Sequence, residues 1–423
     1  MNKLFEKIEE PLTNMAAKFA SSKILGTISS AFMMLLPITM IGGFVALFRG
    51  LDIGGYQAFL ASSGLYDKLG TIYQFTTSYF AIYVTFAVGY QFALKYGLQR
   101  NAISIGLTAM MCFLIATPYT LPESLYGSAT LDTTWYGATG LFSALLIAFV
   151  VGLIYKVCQD RKIEIKLPEA VPPAIAVQFT SIIPAAISAL VFMGVAWIFA
   201  GTSFGSVHNC IYSILRAPLS ALGANIWGSY ILTLFLYCLW FLGIHGGLTV
   251  MPISMMLFTQ LQMENQMAFA AGQPLPNWVT GSYLSVSSGS LAVVVACILV
   301  AKSEQIKAIS RTALIPSLFG VDEPAYFGLP MILNPLFFIP WVFLQTTLVV
   351  WGTYLLQAIG LLGYYRGVSA GAFVPFFVSN VTGYGIPGLI WGFVLFIIDV
   401  ILTIPFVKAY DKQCLAEDEN NQQ

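Results

Sequence analysis

The chain has 423 residues, no net charge and an apolar composition, with 58% hydrophobic and 9% charged residues. A soluble globular domain carries roughly 25% charged residues, so this composition excludes a soluble protein and indicates an integral membrane protein. The neutral charge and the lack of any basic run also argue against a nucleic-acid partner.

The apolar stretches are long and continuous, which predicts membrane-spanning helices, because the strands of a membrane barrel alternate in segments of about 10 residues. A helix needs roughly 20 apolar residues to cross a bilayer, and several stretches approach that length. The predicted fold class is an all-α integral membrane protein with about ten transmembrane helices. In chain order these lie near residues 24–49, 73–95, 102–117, 137–157, 174–200, 223–243, 246–262, 281–301, 332–360 and 386–407.

Three segments are predicted to lie outside the spans. Residues 1–23 are of mixed charge and lack the apolar core of a secretory signal, so they indicate a cytosolic amphipathic lead-in. Residues 203–222 are weakly apolar, which is typical of an amphipathic helix at the membrane interface. Residues 413–423 form a polar tail.

The distribution of Lys and Arg predicts the orientation in the membrane. Clusters of Lys and Arg lie before span one and after spans two, four, eight and ten. With ten spans, all of these clusters fall on the same side of the membrane. The loop 118–136 carries acidic residues but no Lys or Arg, and it falls on the opposite side. Both termini are therefore predicted to be cytosolic.

The regular pattern breaks in the second half of the chain, where glycines interrupt "GIHGGLTVMP" and prolines interrupt 263–285 and 367–386. Irregular backbone at membrane depth occurs only where it is buried in protein or lines a wet cavity, so we expect re-entrant hairpins around a polar cavity. The predicted domains are an N-terminal scaffold and dimer-interface domain at 1–165, a connector with span five and the interfacial helix at 166–222, a substrate-binding transport domain at 223–412 and the cytosolic tail at 413–423.

Two adjacent carboxylates, Asp322 and Glu323, lie in "GVDEPAYFGLPMILNP" within the least charged half of the chain. An ionisable residue at membrane depth is costly and usually faces a pathway or cavity, which makes Glu323 a candidate site residue. The alternative is a carboxylate at a helix start, and Pro324 fits the first turn of such a helix. For Asp322, capping of the helix is the favoured interpretation.

His245 lies in "WFLGIHGGL", where the neighbouring glycines let backbone or ligand approach closely. Its ring nitrogens could bind a ligand, or it could be a buried histidine bonded to a neighbouring carbonyl. Trp240 offers a face on which a sugar ring could stack, or it could be an ordinary core or interface aromatic. His208, the other histidine, is interpreted as structural.

Three stretches, "LPEAVPPAIAVQFTSIIPA", "GIHGG" and "GVDEPAYFGLPMILNP", together resemble the membrane component, enzyme IIC, of sugar phosphotransferase systems. The similarity is to the lactose, cellobiose and diacetylchitobiose branch, and it covers most of the chain from "SSAFMMLLPITMIGGF" onward. The pattern from Gly320 to Pro335 is specific to this family.

The resemblance implies a permease with coupled phosphotransferase activity. It would import a β-linked disaccharide and present its 6-hydroxyl to a phosphocysteine on a separate enzyme IIB, supplied in turn by enzyme IIA. By the same resemblance, His245 and Glu323 are the catalytic residues that hold this hydroxyl, Glu323 is the proton acceptor, and Trp240 stacks on a sugar ring. Ser290, at a threonine position of the family, and Asn334 are further implied sugar contacts.

The family also implies a homodimer in the bacterial plasma membrane, in contact with lipid. The six scattered cysteines and the two distant histidines predict no metal site, and no cofactor is expected. The chain differs from the family pattern at "GAFVPFF", which lacks a tryptophan, and at Ser290, so the sugar stays open. An ion-coupled sugar symporter that uses Glu323 as its coupling site is the alternative function. A receptor-like membrane protein with a vestigial site is a third. Whether the sugar arrives phosphorylated separates them.

Overall fold

The computed structural model describes residues 22–50, 54–120, 130–165, 167–168, 171–214, 225–329, 331–370 and 374–421. Their contacts divide the chain into two compact units. The N-terminal unit comprises the described residues of Ser21–Ala221 and of Met255–Met267. The C-terminal unit comprises those of Leu222–Ser254 and of Ala268–Gln423.

Helices form almost all of the described N-terminal unit. They are α1 (Lys23–Met34), α2 (Leu36–Gly50), α3 (Tyr56–Ser62), α4 (Leu65–Tyr73), α5 (Phe80–Lys95), α6 (Ala102–Ala116), α7 (Leu141–Asp160), α8 (Pro173–Ala200) and α9 at residues 207–214. A π-helical turn at Gln74–Ser78 precedes α5, and 3₁₀ turns lie at Gln99–Asn101, Thr133–Trp135 and Ala138–Gly140. The short strands β1 (Tyr119–Thr120) and β2 (Thr130–Leu131) pair antiparallel, a hairpin that the sequence did not predict.

Helix α5 lies at the centre of the N-terminal unit, in contact with α1, α6 and α7, while α8 packs on α6 and α7. A Cβ atom on Gly89 would lie 3.1 Å from the Cα atom of Gly106, so small residues let α5 and α6 approach closely. The buried rings of Phe80, Phe92 and Phe113 fill the surrounding core. Apolar packing between helices therefore determines this part of the fold.

The C-terminal unit is also helical but less regular. Its helices are α10 (Ile226–Phe241), α11 (Gly246–Ala270, of which Met255–Met267 belongs to the N-terminal unit), α12 (Leu291–Val300), α13 (Glu304–Leu318), α14 (Glu323–Gly328), α15 (Pro335–Ala358) and α16 (Phe376–Asn421), with a 3₁₀ turn at Ser282–Val286. Two π-helical segments, Phe338–Leu344 and Leu348–Gly352, interrupt α15. The first contains Pro340, which has no N–H to donate to the helix.

Helix α16 bends at Gly385, which has a positive φ of 74°, a conformation that glycine adopts without strain. The predicted last span, 386–407, corresponds to the part of α16 that follows this bend. Near its far end, Asp411 accepts hydrogen bonds of 2.8–3.0 Å from the backbone N–H groups of Lys302 and Ser303. These bonds satisfy donors at the start of α13, so α16 holds α13, and the short α14 that packs on it, in place.

Among the described residues, six helices are long and apolar enough to cross a membrane, or seven if α1 and α2, which are bent by 48°, form one broken span. The six are Gln99–Ala116, Ala138–Asp160, Ala176–Ala200, Ser282–Val300, Pro335–Ala358 and Phe376–Leu415. The predicted helical membrane fold is found, but the predicted count of ten spans is not confirmed. Two predicted spans, α5 and α10, have only 16 residues, and α11 carries a polar run around Glu264 and Asn265.

Parts of the predicted interfacial segments lie outside the described residues. The lead-in at 1–21 and residues 215–224 belong to this group, whereas residues 207–214 of the predicted interfacial helix are helical. Within the predicted irregular segment 263–285, residues 263–270 continue α11, residues 271–281 form a loop and Ser282–Val286 forms the 3₁₀ turn. Within 367–386, residues 376–386 belong to α16, and residues 371–373 lie outside the described residues. The re-entrant depth of both segments in a bilayer stays a prediction.

Candidate functional site

A cavity of about 340 Å³ lies in the C-terminal unit, within the range of roughly 300–1,000 Å³ that small-molecule sites have. One wall is aromatic and comes from α10 and α14, through Trp240 and Tyr326. The polar groups of the lining come from Asp322 and from the serine-rich loop at residues 287–289, which follows the 3₁₀ turn. Flat rings beside hydroxyls and a carboxylate suit a ligand that has both apolar faces and hydroxyl groups, as sugars do.

The structure brings His245 and Glu323 together beside this cavity. The distance from His245 Nε2 to Glu323 Oε1 is 3.4 Å, and the two side chains are 40% and 45% exposed. Trp240, whose ring packs against that of His245, lines the cavity. So does Asp322, which precedes Glu323 in the chain. Both side chains of the pair are thus partly exposed.

The "GIHGG" sequence explains the position of His245. Helix α10 ends at Phe241, and Gly243, two residues later, has a left-handed conformation with φ 78°. The Gly243 N–H donates to the Trp240 carbonyl at 3.0 Å, as is typical of a glycine that follows the end of a helix. The next helix starts one residue after His245, whose carbonyl accepts from the Thr249 N–H at 3.1 Å. A Cβ atom on Gly246 would lie 2.9 Å from the Trp240 ring, so only glycine fits there.

Glu323 is the first residue of α14, followed by Pro324 as predicted for a first turn. Asp322 does not cap this helix through its side chain, so the predicted capping role of Asp322 is wrong. Its carboxylate instead accepts hydrogen bonds from the Ser290 N–H at 2.9 Å, from the Ser290 hydroxyl at 2.6 Å and from the Tyr326 hydroxyl at 3.3 Å. Those donors draw the carboxylate inward, away from the N–H groups of its own helix.

Ser290 is fully buried behind the cavity wall. Because its hydroxyl donates to Asp322 Oδ1, the Ser317 hydroxyl, 2.8 Å away, donates to Ser290 Oγ. The structure therefore shows Ser290 joining the serine-rich loop to Asp322 and to α13. A direct contact of Ser290 with a sugar stays a prediction.

Trp240 is 7% exposed and lines the cavity. Its ring centroid lies 4.2 Å from that of His245 and 5.0 Å from that of Tyr326. These contacts fix the indole between the His245–Glu323 pair and the cavity. The predicted stacking of Trp240 on a sugar ring is compatible with this position and stays a prediction.

Asn334 lies farther along the chain, at the start of α15. Its side-chain oxygen accepts from the Leu336 N–H at 3.1 Å, which is the bond of a helix N-cap. The preceding Leu333 has a positive φ of 54°, and its N–H donates to the Phe241 carbonyl at 2.8 Å, so the turn is anchored to the end of α10. The predicted sugar contact of Asn334 stays a prediction.

Sequence reasoning missed several residues around the cavity. Tyr326 stands out in the sequence only as part of a motif, yet its buried hydroxyl donates a hydrogen bond to Asp322. Gln345, on α15, donates from Nε2 to the Gly289 carbonyl at 2.8 Å. A glutamine within the apolar segment "LFFIPWVFLQTTLVV" is a signal that could have identified it, since buried polar side chains need partners.

His208 lies in the N-terminal unit, fully buried, and makes hydrogen bonds with the hydroxyls of Ser143 at 2.6 Å and of Thr117 at 3.2 Å. Its ring also packs against Phe113 and Trp135. These contacts account for both ring nitrogens. The structure therefore agrees with the structural interpretation of His208.

Comparison with known proteins assigns the family. A family model for the phosphotransferase system, EIIC, matches residues 29–344, which is most of the chain. The chain is 32% identical over 439 aligned residues to the cellobiose-specific EIIC component of Geobacillus stearothermophilus, covering 99% of this chain and 97% of that protein. It is 30% identical over 429 residues to the oligo-beta-mannoside-specific EIIC component of Bacillus subtilis, covering 98% and 96%.

The fold matches a solved member of the same class. This is the transporter ChbC, the IIC component from the N,N'-diacetylchitobiose-specific phosphotransferase system, with a TM-score of 0.89, 31% identity and coverage of 97% of this chain and 99% of that one. The chain belongs to the EIIC family, the membrane-embedded sugar permeases of the phosphotransferase system. The resemblance inferred from the sequence is confirmed, and an ion-coupled symporter is not favoured.

Proposed function

We propose that this permease imports a β-linked disaccharide, such as cellobiose, diacetylchitobiose or lactose, and presents its 6-hydroxyl to a phosphocysteine on a separate enzyme IIB. The observation that carries the proposal is the His245–Glu323 pair, with 3.4 Å between Nε2 and Oε1, beside a cavity of about 340 Å³. The substrates named for the cellobiose, oligo-beta-mannoside and diacetylchitobiose relatives support the β-linked class.

In this proposal Glu323 acts as the general base at the sugar. It takes the proton from O6 while that oxygen forms a bond to phosphorus, the phosphorus–sulfur bond breaks, and the cysteine of enzyme IIB leaves as a thiolate. His245 holds the same hydroxyl and orients it, and Trp240 supports a sugar ring. A hydroxyl becomes a competent nucleophile when a positioned base removes its proton, and phosphoryl transfer otherwise depends on positioning and charge.

The exposure of the pair supports a donor that is a separate protein. Side chains that are 40% and 45% exposed leave room for a phosphocysteine to approach. We therefore propose enzyme IIB as the direct partner and enzyme IIA as its supplier. We further propose a homodimer, embedded in lipid of the bacterial plasma membrane with both termini in the cytosol, as the distribution of positive charges predicts.

The experiment is sugar uptake into vesicles that contain the purified full-length protein. With phosphoenolpyruvate and the complete set of cytosolic carriers, labelled cellobiose, diacetylchitobiose or lactose should accumulate only as the 6-phosphate. Vesicles without enzyme IIB are the control and should accumulate none. Accumulation of free sugar driven by a pH or sodium gradient, without the carriers, would establish the symporter instead.

A further inference from the structure

A second, much smaller cavity lies in the C-terminal unit between α12, α15 and α16. The centre of a water-sized sphere can move through about 10 Å³ of this cavity. That is room for one water molecule. Asp399 on α16 and Gln345 and Trp341 on α15 line it. These side chains are only 5%, 3% and 1% exposed.

Two of the three side chains have a buried oxygen that lacks a hydrogen-bond partner among the described residues: Asp399 Oδ2 and Gln345 Oε1. The Trp341 indole N–H faces the Tyr326 hydroxyl instead. Leaving such atoms unpaired is costly, and a carboxylate within a membrane helix is costly unless it is partnered. Asp399 Oδ2 and Gln345 Oε1 are two acceptors that face each other without a donor. A water molecule matches this pair, because it can donate one hydrogen to each oxygen.

We propose that Asp399 and Gln345 hold one buried water, and that this Asp399 cluster positions the serine-rich loop of the sugar cavity. The positioning role rests on the proposed function; the water site does not. Asp399 is thus a positioning residue that acts through Gln345. It does not touch the sugar.

The link to the sugar cavity runs through the Gln345 amide. Its Nε2 donates to the Gly289 carbonyl at 2.8 Å and lies 3.4 Å from Ser287 Oγ, and both residues line the sugar cavity. The oxygen end of an amide points away from its nitrogen, so Gln345 can hold Gly289 only while Oε1 faces the small cavity. A donor between Gln345 Oε1 and Asp399 Oδ2 stabilises that orientation.

The loop is therefore held from two sides. Asp322 accepts from the Ser290 N–H at 2.9 Å on one side, and Gln345 donates to the Gly289 carbonyl on the other. Gly289 itself has a positive φ of 57°. Because glycine can adopt many other backbone conformations, the two anchors are needed to keep the loop in this one. Loss of the Gln345 orientation should shift the loop hydroxyls and weaken sugar binding while leaving the His245–Glu323 pair intact.

The test uses the full-length protein with Asp399→Leu, Gln345→Leu, their combination and the conservative Asp399→Asn. Calorimetric titration with cellobiose, diacetylchitobiose and lactose should show affinity about tenfold weaker for Asp399→Leu, a change that corresponds to one lost hydrogen-bonding interaction. Asp399→Asn keeps an oxygen for the water and should stay within about threefold of wild type. The rate of phosphorylation at saturating sugar should change much less than the affinity, because the base is untouched.

A matched control is Thr346→Val. Thr346 is adjacent to Gln345 and fully buried, but its hydroxyl donates within its own helix, to the Val342 carbonyl at 2.6 Å. It should leave sugar affinity unchanged. A loss equal to that of Asp399→Leu would mean that any polar change in α15 disturbs the cavity, which would overturn the positioning role.

Thermal unfolding without sugar tests the cluster independently of transport. If the two side chains share one water, the effects of Asp399→Leu and Gln345→Leu on the unfolding midpoint should be strongly non-additive. Additive effects overturn the cluster. An infrared carboxylic-acid band that disappears in Asp399→Asn would show that Asp399 itself supplies the hydrogen, and would overturn the water. If the wild-type protein binds none of the sugars, the proposed function and the positioning role are both overturned. The unfolding measurements would still show whether Asp399 and Gln345 share a water.

Discussion

At the scale of single residues, the adjacent carboxylates Asp322 and Glu323 have different surroundings. Glu323 is 45% exposed and lies 3.4 Å from His245, where it can meet a hydroxyl and accept a proton. Asp322 accepts hydrogen bonds from Ser290 and Tyr326, which occupy its oxygens. One carboxylate is therefore available for chemistry and the other anchors the cavity loop.

We predict that Glu323→Gln binds sugar within a modest factor of wild type but phosphorylates it at least about a hundredfold more slowly. Glutamine keeps the shape and can still hydrogen-bond to the 6-hydroxyl, whereas general-base catalysis is worth about 10²–10⁴ in rate. The measurement pairs calorimetric binding with single-turnover phosphoryl transfer from enzyme IIB. The matched control is Glu304→Gln, an exposed carboxylate whose partner is Lys307, which should transfer normally. Normal transfer by Glu323→Gln would remove Glu323 as the base.

Asp322→Asn should weaken sugar binding by about tenfold while the transfer rate at saturating sugar is retained. Both Ser290 donors bind Oδ1, which the amide keeps, but the amide loses the negative charge, and its NH₂ group cannot accept from the Tyr326 hydroxyl. Hydrogen bonds to a charged group are worth about 1.5–3 kcal/mol each, more than neutral ones. Calorimetric binding measures the loss, and Ser290→Ala should be non-additive with it because both changes weaken the same contact. An Asp322→Asn variant that binds normally but does not transfer would mean that the base is Asp322.

At the scale of elements, the short helix α9 is held by one buried histidine. The His208 ring is bonded to Ser143 and Thr117 and packs against Phe113 and Trp135. Burial lowers the pKa of His208 from 6.5 to about 4. The ring of His208 is therefore neutral in the folded N-terminal unit.

This burial predicts a pH dependence of stability. Between about pH 4 and 6.5 the unfolded state binds a proton at this histidine and the folded state does not, so stability should fall as the pH decreases through this window and be fully present above it. Thermal unfolding of the purified protein across the window measures the slope. His208→Gln, which cannot titrate, should flatten that slope. An unchanged slope would show that other groups determine the acid sensitivity.

Local signals in the sequence were sufficient for some elements and not for others. The end of α10 just before Gly243, the start of α14 with Pro324 in its first turn and the bend of α16 before Pro387 follow from glycine and proline chemistry. The proximity of His245 and Glu323 was accessible only through a family resemblance. The bond from Ser290 to Asp322 joins residues 32 apart, and no local pattern encodes which buried donor a carboxylate will meet. The predicted span count is not confirmed where the helices are short or polar.

At the scale of the whole molecule, apolar side chains remain exposed on the membrane helices of both units. On α7, Leu146, Leu153 and Val157 are 45%, 51% and 48% exposed, and their spacing places them on one face of the helix. On α16, Ile390 and Ile397 are 61% and 53% exposed. Lipid can cover such faces, and so can a second copy of the chain.

We predict that the α7 face contacts its symmetry mate in a homodimer, in keeping with the dimer-interface role predicted for residues 1–165. A two-fold axis brings the same residue of both copies together, so single cysteines at Leu146 or Leu153 should crosslink in native membranes. The background needs the six native cysteines replaced, with sugar uptake confirming that the protein still works. Cysteines at Ile390 or Ile397, equally apolar and at least as exposed, are the matched controls and should stay monomeric because lipid covers them. Crosslinks confined to the α16 positions would move the interface to the C-terminal unit, and monomers at all four positions would mean that lipid alone covers the α7 face.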